Sequence, residues 1–153
     1  TVMKRAAQLQ PLSREHHQGL VISRHAKECA NDVEEIAKHW TALTDYINKN
    51  MTNHFKVEDD LMLAKLEPYR HSHPQVAEVI DQIAEQHNKL YQLIELQSLS
   101  AAQVQELGSV LYDHIRFEER ELFPLVQQIL SEQELQAIYD ASSKNVKREE
   151  ENR

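Results

Sequence analysis

From Ile36 to Leu61 the chain repeats an inward-type residue at every third or fourth position: Ile36, Trp40, Leu43, Ile47, Met51, His54, Glu58 and Leu61. That spacing matches the 3.6-residue helical turn and draws one continuous stripe along a single face. A second stripe joins Val76, Val79, Ile83, His87, Leu90 and Ile94, and a third joins Val104, Leu107, Leu111, His114, Glu118, Leu122, Leu125 and Ile129. Only two glycines and four prolines occur in 153 residues, so turns are few and the elements must be long. No strand-like alternation and no solenoid-period repeat interrupts the pattern.

Punctuation sets the boundaries. Pro11 and Ser13 predict a first helix over about 13–29, with Ser13 as its N-cap. Asn31-Asp32 caps a second helix that runs to about residue 65. Pro68 and Pro74 bracket a break containing His71 and His73, and a third helix follows over about 75–97. After a short break at 98–100, Ser100 and Gln103 form a capping box for a fourth helix over about 101–130. Pro124 lies inside it and is expected to kink or interrupt its last turns. Ser131 and Glu134 cap a short final helix over 131–144, and residues 145–153 read as a charged, frayed tail. The expectation is one all-α domain over 1–153: an up-down-up-down four-helix bundle, with its core at about 11–130 and a short C-terminal helix.

Composition narrows the partners. A net charge of −8 and a pI near 5.6 leave no basic face for phosphates, which argues against nucleic acid. No apolar run approaches the ~20 residues of a membrane span, and Lys4 and Arg5 are not followed by the apolar stretch of a secretory signal. The lone Cys29 cannot form an internal disulfide and reads as a small buried side chain. A cytoplasmic protein is expected, and a homodimer is compatible with such a bundle.

The stripes are not purely apolar. His54 and Glu58 share one stripe, His114 and Glu118 another, each pair four residues apart and therefore side by side on its helix. Histidine and glutamate among leucines are costly unless something binds them. A lone histidine on an apolar stripe is more often a satisfied core residue, and Glu58 or Glu118 could be solvated. That bland reading weakens because His54, His87 and His114 stand at matching distances from the turns joining their helices, which brings them to one level. The first helix, offering His16 or His17, fits less well: either it runs past Cys29 or the second helix overhangs it. Four imidazoles and two carboxylates around one volume suit a pair of iron or manganese ions. Ferritin-type diiron bundles need a glutamate three residues before a histidine, and none of the nine histidines has one.

The segment Leu12-Ser-Arg-Glu-His-His, the His54–Glu58 step, the lone His87, and the run His114-Ile-Arg-Phe-Glu-Glu-Arg-Glu-Leu-Phe-Pro124 together resemble the hemerythrin-like (HHE) cation-binding domain. The resemblance covers about 11–130. It implies a four-helix hemerythrin bundle holding two non-haem iron ions, with His54, Glu58, His87, His114 and Glu118 as ligands and the two glutamates as bridges. For the first helix, Leu12 and Leu20 flank His16 at four residues on each side, whereas the family's aliphatic residue three after the ligand favours His17. Oxygen-carrying members use a fifth histidine where this chain has Tyr91, and an aspartate five residues after the last histidine, where it has Glu119 after Glu118 at four. It resembles instead the bacterial branch with four histidines and two glutamates. That implies an additional open metal position and favours reaction with oxygen, peroxide or nitric oxide over simple oxygen storage.

Three functions compete: a diiron protein that meets a diatomic or peroxide ligand, a metal-binding sensor or iron-handling module acting through a partner, and a structural zinc bundle. Remaining residues are read blandly. Tyr91 and Trp40 are expected in the core, His25, His39, His71 and His73 at the surface, and Gly19 is either a close-approach point or a tolerated helical glycine.

Overall fold

The computed structural model describes residues 4–96, 99–142 and 147, and among these the chain is helical with no strand. Helix α1 (Gln10–Lys27) follows a 3₁₀ turn at Ala7–Leu9. Helix α2 (33–66) is continuous but mixed: α-helical at Val33–Asp45, π-helical at Tyr46–Met51, α-helical at Thr52–Val57, π-helical again at Glu58–Leu63, and closed by Ala64–Leu66. Helix α3 spans Pro74–Ile94. Helix α4 (101–129) joins Ala101–Phe117, a π turn at Glu118–Leu122, and Phe123–Ile129. Helix α5 is Glu132–Ala141. The expected third-helix end near residue 97, part of the break at 98–100 and most of the 145–153 tail lie outside the described residues.

Local chemistry accounts for the ends. Asp32 caps α2 by accepting from the Glu35 amide at 3.0 Å, and Ser100 caps α4 by accepting from the Gln103 amide at 3.2 Å. Ser100 and Gln103 make only that one bond and not the expected box, whereas Ser131 and Glu134 close a box in both directions, at 3.1 and 2.9 Å. Ser13 is not an N-cap. Helix α1 begins earlier, with Pro11 in its first turn, and the Ser13 hydroxyl instead donates to Glu119 Oε2 at 2.9 Å. Pro124 does not break α4, because the π turn ends at Leu122 and the proline sits at the start of the following α-segment, where a missing N–H is tolerated.

The π turns also explain where periodicity misplaces residues. A turn with i→i+5 bonding contains one residue too many for a 3.6 repeat, so the buried face changes phase beyond it. Past Glu58 the buried positions are Met62, Leu63 and Leu66, with Leu61 only partly covered; past Glu118, Phe123 and Val126 join Leu122 and Leu125, and Ile129 is only partly covered.

Helix α1 packs along α4, α3 packs on α4, and α2 lies against α1. The first turns of α2 reach beyond the end of α1: none of residues 33–42 is fully buried, and Val33 is 83% exposed. That overhang brings His54 level with α1 although α1 ends at Lys27. The core is divided. Leu12, Val57, Met62, Ile83, Leu122 and Phe123 belong to one apolar cluster; Met51, Phe55, Leu90, Leu111 and Ile115 belong to another. Along each of α1–α4 the buried histidines and glutamates fall where one cluster gives way to the other.

The most extensive helix contact among the described residues, α1 on α4, depends on Gly108. A Cβ there would stand 2.9 Å from both the Ala26 Cβ and the Ser23 carbonyl oxygen. Backbone cannot yield as a flexible side-chain end can, so Gly108→Ala should cost about 1–3 kcal/mol of overpacking, against at most about 1 kcal/mol gained by removing a helical glycine. A lowered denaturation midpoint with unchanged m-value is the expected result; a raised midpoint would contradict this packing.

Candidate metal centre

Each of the four long helices delivers one imidazole to the layer between the apolar clusters: His16 from α1, His54 from α2, His87 from α3 and His114 from α4. Glu58 and Glu118 join them, one helical turn after His54 and His114. Both glutamates are fully buried, as are His54 and His114. Glu118 faces all four rings: its carboxylate oxygens lie 2.7 Å from His16 Nε2, 3.1 Å from His114 Nε2, 3.6 Å from His54 Nε2 and 3.8 Å from His87 Nε2. Glu58 lies 2.7 Å from His54 Nε2 and 3.1 Å from His87 Nε2. Two overlapping sets of donor atoms result, His16–His54–Glu58–Glu118 and Glu58–His87–His114–Glu118, each with its donors within 4.8 Å of one another.

These atoms converge without satisfying each other. His54 Nε2, Glu58 Oε2, His114 Nε2 and Glu118 Oε2 are buried and form no hydrogen bond, although 2.7 Å separates the first two and 3.1 Å the last two. The approaches are short but misaligned for an N–H donor. Orphaned buried donors and acceptors are rare in folded proteins, and lone pairs aimed at a common volume fit a cation between them. The residues present therefore fit a metal.

Behind the layer each ring turns its Nδ1 toward an oxygen. His16 Nδ1 lies 2.6 Å from Glu119 Oε2, His114 Nδ1 2.6 Å from Gln86 Oε1, His87 Nδ1 3.2 Å from Asp59 Oδ1 and His54 Nδ1 3.8 Å from Glu15 Oε1. The first two are hydrogen bonds, whereas His87 Nδ1, His54 Nδ1 and Glu15 Oε1 form none; a hydrogen-bonded outer partner fixes the orientation of an imidazole. Glu119 is itself fixed by Ser13 and by Arg5, whose guanidinium reaches the Glu119 carbonyl at 2.8 Å and its carboxylate at 3.2 Å. Tyr46 donates to the Glu15 carbonyl at 2.5 Å, an approach that requires Gly19, because a Cβ there would stand 2.5 Å from the Tyr46 hydroxyl. Gly19 is thus a point of close approach. Phe55 stacks on His87 at 4.1 Å and meets His114 edge-on at 5.5 Å, while Phe123 stacks on His16 at 5.2 Å.

The family model of the hemerythrin HHE cation-binding domain matches residues 7–126. The chain belongs to the hemerythrin family. No curated protein and no solved structure matches it.

Within this hemerythrin domain the sequence-derived candidates separate cleanly. His16, His54, Glu58, His87, His114 and Glu118 come together; His17 does not, being exposed and turned about 100° round α1 from His16. The apolar flanks Leu12 and Leu20 therefore indicated the inward histidine of that helix, and the spacing to Leu20 misdirected. Tyr91 is not a core residue: it is 42% exposed and touches Phe55 edge-on at 5.7 Å. Glu15, Gln86 and Glu119 were missed as partners of the rings. Glu15 and Gln86 each immediately precede a layer histidine, and adjacent helical residues point about 100° apart, so no stripe marks them.

The buried charges shift one another. Burial opposes protonation of His54, yet the Glu58 charge, with Glu118 and Glu15 nearby, holds it well above its ordinary 6.5. Burial likewise opposes a raised His16, where Glu118 and Glu119 prevail, and His87, which Asp59, Glu118 and Glu58 push up to about 11. Glu118 moves the other way: burial would raise it, but the His114 charge and the surrounding donors hold it well below 4.5. A cation entering here displaces protons.

Linkage gives these shifts a sign. The lowered Glu118 stabilises the fold above pH 4.5 and loses that contribution as pH falls; the raised histidines stabilise it below pH 6.5 and lose theirs as pH rises toward their folded values. Chelator-stripped protein should therefore melt highest between pH 4.5 and 6.5. A melting temperature that climbs steadily from pH 6.5 to about 9 would contradict the assignment.

Proposed function

We propose that this hemerythrin domain binds two non-haem iron ions and meets a small ligand there: oxygen, nitric oxide or a peroxide. One observation carries the reading: Glu58 and Glu118 belong to both donor sets, as carboxylates that bridge two ions would. His16 and His54 would complete one ion's ligands, His87 and His114 the other's. Six donors sharing two carboxylates suit ions of high coordination number better than closed four-coordinate zinc. Helix order, short connections and the pairings of α1 with α2, α3 with α4 and α1 with α4 support an up-down-up-down four-helix bundle as the frame.

When bound, a pair of iron ions supplies redox change and open coordination positions for the small ligand. The protein's own part is to hold and shield. Two buried carboxylates set against four imidazoles offset the charge of the cations. Glu119 and Gln86 orient the His16 and His114 rings from behind, Glu15 and Asp59 stand behind the other two, and Phe55 and Phe123 pack against the rings to exclude water. With one histidine on α3 and an exposed Tyr91 one turn away, fewer imidazoles fill the site than in the oxygen-carrying members, which supports ligand reactivity rather than storage.

Metal analysis of aerobically purified protein, together with its optical spectrum, tests the reading. About two irons per chain with near-ultraviolet bands are expected for a bridged pair. His16→Ala and Glu118→Ala should each lose bound iron, whereas His17→Ala should keep it. One zinc per wild-type chain, or full iron retention in Glu118→Ala, would overturn the proposal.

A further inference from the structure

The two halves of the cluster differ in what stands behind their imidazoles. In the His16–His54 half His16 is hydrogen-bonded to a carboxylate, Glu119, itself fixed by Ser13 and Arg5, while the buried Glu15 carboxylate stands 3.8 Å behind His54 without a hydrogen bond. In the His87–His114 half, His114 leans on the neutral amide of Gln86, and His87 faces Asp59, whose side chain is 54% exposed. A carboxylate behind a ligating imidazole raises its basicity, and changing such partners alters metal affinity about 10–100-fold. A neutral amide and a hydrated carboxylate give less of that support.

The His87–His114 half also borders surface grooves. Gln86 lines a groove of about 800 Å³ shared with Gln82, Gln92 and Val110, and a second of about 350 Å³ shared with Asp113 and Arg116. Asp59 lines a third of about 510 Å³ with Lys56 and Tyr91. Both partners of the His87–His114 half thus line surface grooves. His87 is also the most exposed of the four imidazoles, at 5% against 0–1% for the others.

We propose that the His87–His114 half exchanges its ion with solvent while the His16–His54 half retains its own, and that Gln86 sets the exchange rate as a positioning residue acting through His114. This rests on the two-ion reading above. It assigns the two positions different tasks: a retained ion that keeps the layer assembled, and an exchangeable one that faces the grooves.

The test follows release of iron from the two-iron protein into excess EDTA, counting two-, one- and zero-iron chains over time by native mass spectrometry. A one-iron form should accumulate, with the two phases separated by about tenfold or more. Gln86→Glu, which places a carboxylate behind His114, should slow the fast phase by about tenfold and leave the slow phase alone. Gln86→Leu should speed the fast phase, and Glu119→Gln the slow one. Far-ultraviolet circular dichroism confirms that each variant is folded, and the wild-type time course needs no variant at all. Loss of both ions in one phase, or a Gln86 variant that changes only the slow phase, overturns the inference while leaving the two-ion reading intact. Wild-type protein that never holds two ions overturns both.

Discussion

One buried carboxylate, Glu118, looks at an imidazole from each of four helices. A charge so far from water is tolerated only when others compensate it, and here the compensation comes from α1, α2, α3 and α4 at once. The helices are consequently not free to slide. Moving any one by a turn would carry its histidine about 5.4 Å out of the layer and leave both partners buried and unmatched. Apolar packing supplies most of the driving force for such a fold, but leucines are permissive about register and a shared carboxylate is not.

The outer contacts extend that constraint to the chain's edges. Arg5, ahead of α1, reaches across to Glu119 on α4 and lies over the Phe123 ring at 5.2 Å, while Gln127 accepts from the Ala6 amide at 2.9 Å. The segment before α1 is thereby tied to the same helix that carries Glu118. Phe55 does comparable work inside, meeting His54, His87 and His114 with one ring. Family membership alone would not specify these contacts, since function resides in what a particular chain grafts onto its frame.

Much of this was legible in the sequence. Stripes of 3.6 period marked the helices, Asp32, Ser100 and Ser131 marked three of their beginnings, and polar residues on the stripes marked the layer. What escaped has identifiable physical causes. A π turn leaves no sequence signature, so Leu61 and Ile129 were drawn inward when the extra residue turns their neighbours in instead. Ser13 carries a good capping side chain, but Glu119 offers its hydroxyl a better-placed charged acceptor across the fold. His16 and His17 differ by one residue, and only the helix's rotation against α4 decides between them. Ring partners such as Gln86 sit beside the layer histidines in sequence, where helical periodicity is blind.

The division of the core has a thermodynamic meaning of its own. Two oily regions separated by a charged plate are two potential units of cooperativity, joined only by the plate and by the helices that run through it. Because α1–α4 all cross the plate, its charge balance sets how tightly the loosening of one unit is coupled to the other.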